Sequence, residues 1–209
     1  MSSHRALYRL ALTASALIAF ACGDYSRSTS PALSQAKLVA VRSSFSMVGS
    51  GAKARAVRWG PAHSRVEQTA SAVIGPDGGT LSLPGSDFTM NIPSGALSAP
   101  TTITVVAKGG SHVAYEMLPH GLRFLKPVTA VQGLQNTEIY GTDAGNAVRS
   151  AYLPEGSDAI DVDDSASPSE LEAATTYFSA ARVAETHVWV INHFSRYILI
   201  SNVWVLVGD

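Results

Sequence analysis

The sequence predicts an all-β protein, an antiparallel β-sandwich behind a disordered N-terminal tether. Three observations carry this. From Thr69 onward, short runs of alternating apolar and polar residues recur at near-regular spacing between glycine or proline turns, as in a sandwich or barrel. Thr101 to Ala107 is β-branched at almost every position, which suits a pleated, half-buried surface. Only 15% of the 209 residues are charged and 46% are hydrophobic, so one sizeable core can form where the apolar residues cluster. They cluster from Ala72 onward.

The first element is an address. Arg5 and Arg9 precede an apolar run from Leu10 to Phe20, which ends in Ala19-Phe20-Ala21-Cys22. Spanning a bilayer takes about 20 apolar residues. This run is shorter and has the length of a signal-peptide core, so residues 1–21 are predicted to be a signal peptide. Two processing readings share the bond before Cys22. Small residues at Ala19 and Ala21 suit general signal peptidase, giving a secreted or periplasmic soluble protein. The same bond resembles a bacterial lipobox, although that pattern prefers Leu where this chain has Ala19. Cys22 is the only cysteine, so it has no partner for an intramolecular disulfide. Its place just behind the apolar core favours lipidation, with the membrane as partner through the N-terminal lipid. Each acyl methylene buried adds about 0.8 kcal/mol to such an anchor.

Residues 22–65 read as a lipid-anchored flexible linker. Arg27, Lys37, Arg42, Lys53, Arg55, Arg58 and Arg65 face Asp24 alone, and large apolar residues are few. Short apolar patches at Leu38 to Val41 and Phe45 to Val48 lack a sustained period, so the segment is expected to be dispensable for folding. From Val66 on the balance inverts. Six Lys and Arg residues face fifteen Asp and Glu, and an acidic surface argues against nucleic acid as a partner.

The sandwich is assigned to residues 66–209. Strands are predicted at Ala72 to Ile74, Thr80 to Leu83, Phe88 to Ile92, Thr101 to Ala107, Val113 to Met117, Pro127 to Val131, Asn146 to Leu153, His187 to Ile191 and Tyr197 to Val207. Glycine-dense or proline-led turns separate the first of them: Gly75-Pro76-Asp77-Gly78-Gly79, Pro84-Gly85-Ser86-Asp87 and Pro93-Ser94-Gly95-Ala96. The first of these needs positive φ. One segment breaks the pattern. Ser167-Pro168-Ser169-Glu170 has capping-box spacing with proline at the first helical position, predicting a short helix or turn at Pro168 to Ala173 with a strand behind it.

Several side chains could carry chemistry. His120, in Pro119-His120-Gly121, has no neighbouring cysteine or spaced histidine and reads as an imidazole bonding turn backbone. His112 and His187 stand alone and read as surface or strand positions. Asp158, Asp161, Asp163 and Asp164 form an acidic run. Counted from Asp161, the sixth position is Ala166 where a calcium loop requires glycine, so a solvated loop is the expectation. No phosphate-binding glycine loop, zinc-binding helix motif or nucleophile elbow occurs, and no cofactor or metal is expected. Trp189, Tyr197 and Trp204 read as core and strand-pair residues.

The blocks Gly78-Gly79-Thr80, Ile92-Pro93-Ser94-Gly95-Ala96, Pro119-His120-Gly121-Leu122-Arg123-Phe124, Lys126-Pro127-Val128 and His193-Phe194-Ser195-Arg196-Tyr197 come in an order that resembles the ZU-five domain. That domain is the β-sandwich module of zonula-occludens scaffolds, Unc-type netrin receptors and ankyrins. The resemblance covers Ala72 to Tyr197, with no family signature between Asn136 and Glu185. It implies a binding module, since most members bind and a few cut themselves at His-Phe-Ser. In the latter the Ser195 hydroxyl would attack the carbonyl of Phe194 with His193 as base or polarising group, forming an ester that water opens. Without cleavage, Phe194 fills the core and Ser195 caps a strand bend.

The reading that follows is an envelope-anchored lipoprotein presenting a non-catalytic sandwich to an unidentified protein or surface partner. Its alternatives are a self-processing module cleaving between Phe194 and Ser195, with His193 and Ser195 catalytic, and a structural envelope domain without a discrete ligand.

Overall fold

The computed structural model describes residues 39–44, 46–47, 52–153 and 165–205. Alternation dictates the strands. In β4 (Gln68–Ile74), β5 (Gly79–Leu83), β6 (Phe88–Ile92) and β7 (Thr101–Ala107) the inward positions are Ile74, Leu81, Leu83, Phe88, Met90, Ile92, Ile103, Val105 and Ala107, all buried. Threonines and serines fill the outward positions and pair across strands, as Ser71 with Thr104 at 2.9 Å and Ser82 with Thr89 at 3.1 Å. Residues two apart on a strand share a face, so this alternation alone fixes the register. β8 (Ala114–Leu118), β9 (Arg123–Gly133), β10 (Arg149–Leu153), β13 (Ala174–Phe178), β14 (Ala184–His193) and β15 (Arg196–Val205) continue it.

Every pairing among the described residues is antiparallel, and no α-helix occurs there. Two sheets pack face to face. One runs β1-β13-β14-β9-β6-β5, with β1 at Val39–Ser43. The other runs β2-β12-β10-β15-β8-β7-β4, with β2 at Ser46–Met47 and β12 at Glu170–Leu171; β3 (Ala52–Ala56) adds to β15, and β11 (Ser165–Ala166) adds to β3. The all-β sandwich expectation holds.

The main core lies between the sheets, with Trp189, Tyr115, Tyr197, Phe88 and Phe194 as its largest fully buried side chains. β15 is buried on both faces. Tyr197 and Leu199 enter the main core, while Ile198 and Ile200 join a second cluster with Ala54, Ala56, Ala151, Leu153 and Ala166. Two polar links tie sheet to sheet. The Tyr115 hydroxyl donates to Gln132 Oε1, and the Gln132 amide donates to the carbonyls of Ser86 (2.8 Å) and Gly133 (2.7 Å). The second is His187, whose imidazole bonds Ser150 Oγ at 2.8 Å across the sheets and Thr176 Oγ1 at 2.9 Å beside it. Both ring nitrogens of this fully buried histidine are therefore satisfied, which offsets its desolvation. His187 is in a strand as expected, but as an interior bridge that no local pattern announces.

Three expectations need correction. The flexible linker does not extend to residue 65. β1 pairs with β13 over five residues, β3 pairs with β15 and β11, and Ala54, Ala56, Val57 and Trp59 are buried. Few apolar residues are enough here because alanines fit against β15 and one tryptophan covers a large area. The helix at Pro168 to Ala173 is absent. Glu170 and Leu171 pair instead with Tyr152 and Ala151 of β10 and with β2, so ladder pairing overrides the local cap signal. The strand behind it forms, as β13. Finally, a 3-10 turn at Asp143–Ala147 occupies the first part of the strand expected from Asn146, which begins at Arg149. The signal peptide, Cys22 and the acidic run at Asp158, Asp161, Asp163 and Asp164 lie outside the described residues, as does the side chain of Trp204.

Candidate functional site

A sandwich whose chain alternates between sheets needs corners, and the spaced sequence blocks are those corners. They lock in two pairs. At one, β4 crosses to β5 through Gly75 to Gly78, and β6 crosses to β7 through Pro93 to Ala96. The Gly95 amide donates to the Pro76 carbonyl at 2.7 Å. Gly78 has φ +78°, and a β-carbon there would lie 2.3 Å from the Ile92 carbonyl oxygen, so only glycine fits. Lys126 closes this corner by donating from Nζ to the Ser94 carbonyl at 2.6 Å.

At the other pair, β8 crosses to β9 through Pro119 to Leu122, and β14 crosses to β15 through Phe194 and Ser195. Here Gly121 N–H donates to the Phe194 carbonyl (3.0 Å), Phe194 N–H to the Leu122 carbonyl (2.8 Å) and Met117 N–H to the Ser195 carbonyl (2.9 Å). A register shift between Ile191 and His193 turns the end of β14 toward the second sheet. Phe194 is 1% exposed and meets Phe124 edge-on at 4.9 Å. It is the core residue the sequence suggests.

Outside this corner lies a cleft of about 310 Å³ lined by Gly121, Arg123, Tyr152, Glu170, His193, Phe194 and Ser195. Arg123 faces His193 across the β9–β14 ladder, and Glu170 faces Tyr152 across β12–β10. His193 Nε2 lies 4.0 Å from Glu170 Oε2, and its ring sits edge-on to Tyr152 at 5.3 Å. The Tyr197 hydroxyl donates to the His193 carbonyl at 2.7 Å and fixes the backbone beneath the imidazole. Burial, then Glu172, Glu170 and Tyr152, push the Tyr197 hydroxyl well above its ordinary range, so it stays a donor. Glu172, two residues beyond Glu170, is buried. Desolvation, and secondarily Glu170, raise its carboxyl to about 7.

The two predicted catalytic residues are thus neighbours on one corner, with Ser195 at 5% exposure. What the cleavage chemistry requires beyond proximity is a strained bond. Among the described residues the left-handed non-glycines are Asp87, Arg182 and Asn202, none of them at this corner. The corner backbone is held by the four hydrogen bonds above.

His120 lies 3.2 Å from Glu116 Oε1. No cluster of three or more His, Cys, Asp or Glu able to hold a metal occurs among the described residues. The sequence reading missed Tyr152, Glu172 and the role of Glu170. Glu170 did give a signal, read as a helix cap because its partner strands lie 18 and more than 100 positions away. No family model matches the chain, and no curated protein matches it.

Proposed function

We propose that this chain is a bacterial envelope lipoprotein, anchored through Cys22, whose ZU-five-like sandwich serves as a non-catalytic binding module. The observation that carries the reading is the second corner. Its backbone is fully tied at Phe194, while its side chains open around a cleft combining a carboxylate, an imidazole, a phenol and a guanidinium. A few convergent polar groups on a rigid frame are what ligand sites use to fix orientation. The anchor rests on the signal-peptide pattern and the lone cysteine, and the family likeness rests on the order of the corner blocks.

One contact favours self-processing as a second reading. Gly121 N–H on the Phe194 carbonyl oxygen is a donor placed where negative charge would develop if Ser195 attacked that carbon. The same bond also serves as an ordinary corner tie.

Two measurements test the proposal. Cys22→Ser should move the protein from the detergent-rich to the aqueous phase, and an unchanged membrane fraction would refute the anchor. A photo-crosslinking residue at Gly121, which lines the cleft and where an added β-carbon meets nothing within 4 Å, should in intact cells give a discrete adduct absent when the same probe stands at Lys126. Identical patterns from the two positions would refute a binding role for the cleft.

A further inference from the structure

The geometry points to a ligand class for this cleft: a small zwitterion of the amino-acid type, its carboxylate on Arg123 and its ammonium on Glu170 against Tyr152. The inference rests on the binding-module reading and sharpens it.

Arg123 stands opposite His193 in the ladder, and His193 Nε2 lies 4.0 Å from Glu170 Oε2. Arg123, His193 and Glu170 therefore form one row of residues along the cleft. Among the described residues no carboxylate is ion-paired with Arg123. A ligand of one sign would gain from one end of this row and be repelled by the other. A ligand carrying both signs gains from both.

The walls agree. Tyr152 presents a ring beside Glu170, and an ammonium held by a carboxylate gains further from a nearby aromatic face. A guanidinium offers a planar fork to a carboxylate, a two-point contact that sets ligand direction. The cleft volume, about 310 Å³, is at the lower end of the ~300–1,000 Å³ usual for small-molecule sites. It has room for an amino acid or dipeptide. Ser195 and Gly121, at the floor and rim, add short polar or backbone groups without bulk.

The test is an amide-shift titration of the mature chain in detergent, with four probes: L-alanine, L-alanyl-L-alanine, propionate and ethylammonium. Expected are saturable shifts at Gly121, His193 and Ser195 with alanine or the dipeptide, and the tighter of the two reports ligand length. Propionate and ethylammonium should each bind at least tenfold more weakly. Glu170→Gln keeps side-chain size and Arg123→Gln shortens an exposed side chain, so their spectra away from the cleft should match the parent, and each should weaken the zwitterion at least tenfold. Ethylammonium binding as well as alanine would overturn the role of Arg123 and with it the proposal. The absence of saturable shifts with either zwitterion would overturn it equally. A discrete Gly121 crosslink beside a failed titration would leave the binding module standing and discard only this ligand class.

Discussion

The two corner pairs do the same mechanical work with different materials. Each passes the chain twice between the sheets and joins the two crossings by a glycine amide on a carbonyl, Gly95 to Pro76 in one and Gly121 to Phe194 in the other. The first is closed: Gly78 is wedged against Ile92 and Lys126 covers the Ser94 carbonyl. The second is open. A β-carbon added at Gly121, also at positive φ (+74°), would meet nothing within 4 Å, and the space beyond is the cleft. A corner needs only turn residues and ties, so the charged and aromatic side chains gathered at the second are surplus to folding. That surplus is the argument for binding there.

Substitutions can break the comparison. Removing residues before Glu67 should have the largest effect on both corners, because it deletes β1 to β3 and Trp59. Trp59→Ala alone is expected to cost about 3–5 kcal/mol, so the truncated chain should lose cooperative melting. Melting within a few degrees of the parent would restore the dispensable-tether reading. Phe194→Ala should also cost about 3–5 kcal/mol in chemical denaturation. At the glycines the corners should diverge. Gly78→Ala combines left-handed strain with a backbone clash, about 2–5 kcal/mol together, whereas Gly121→Ala carries the strain alone, about 1–2 kcal/mol. Equal losses would erase the distinction between a closed and an open corner.

A smaller effect lies in pH. Burial, with Arg149 adding to it, lowers the His187 imidazole from 6.5 to about 3. Its contribution is complete above pH 6.5 and is lost as pH falls toward 3. Glu172 is raised from 4.5 to about 7; its contribution is complete below pH 4.5 and is lost as pH rises through 7. Between about 4.5 and 6.5 the two slopes, each up to ~1.4 kcal/mol per pH unit, oppose and give a plateau. Glu172→Gln should leave stability falling with acid through that window, and His187→Gln should leave it rising with acid. A parent profile that slopes steadily through the window would contradict this balance.

What the sequence made legible follows from what is local. Alternation and turn residues place β4 to β9, β14 and β15, because the inward set of each strand is readable within five to ten positions. The corner blocks were legible for the same reason, since glycine at positive φ and proline at a crossing leave local marks. β1, β3 and β12 were not legible. They are short and lack a sustained apolar period, and their stability comes from partners more than 100 residues away for β1 and β3. The cleft was half legible. His193 and Ser195 stand in a motif, but Tyr152 and Glu170 reach it through sheet pairing alone, and His187 reaches Ser150 only across the core.

The central claim is that the His193–Ser195 corner frames a cleft and leaves its own chain intact. The intact mass of purified mature protein after prolonged incubation at neutral pH tests it most directly. The account predicts one uncut chain beginning at an acylated Cys22. Two fragments meeting at Phe194 and Ser195, abolished by Ser195→Ala while the domain stays folded, would contradict it.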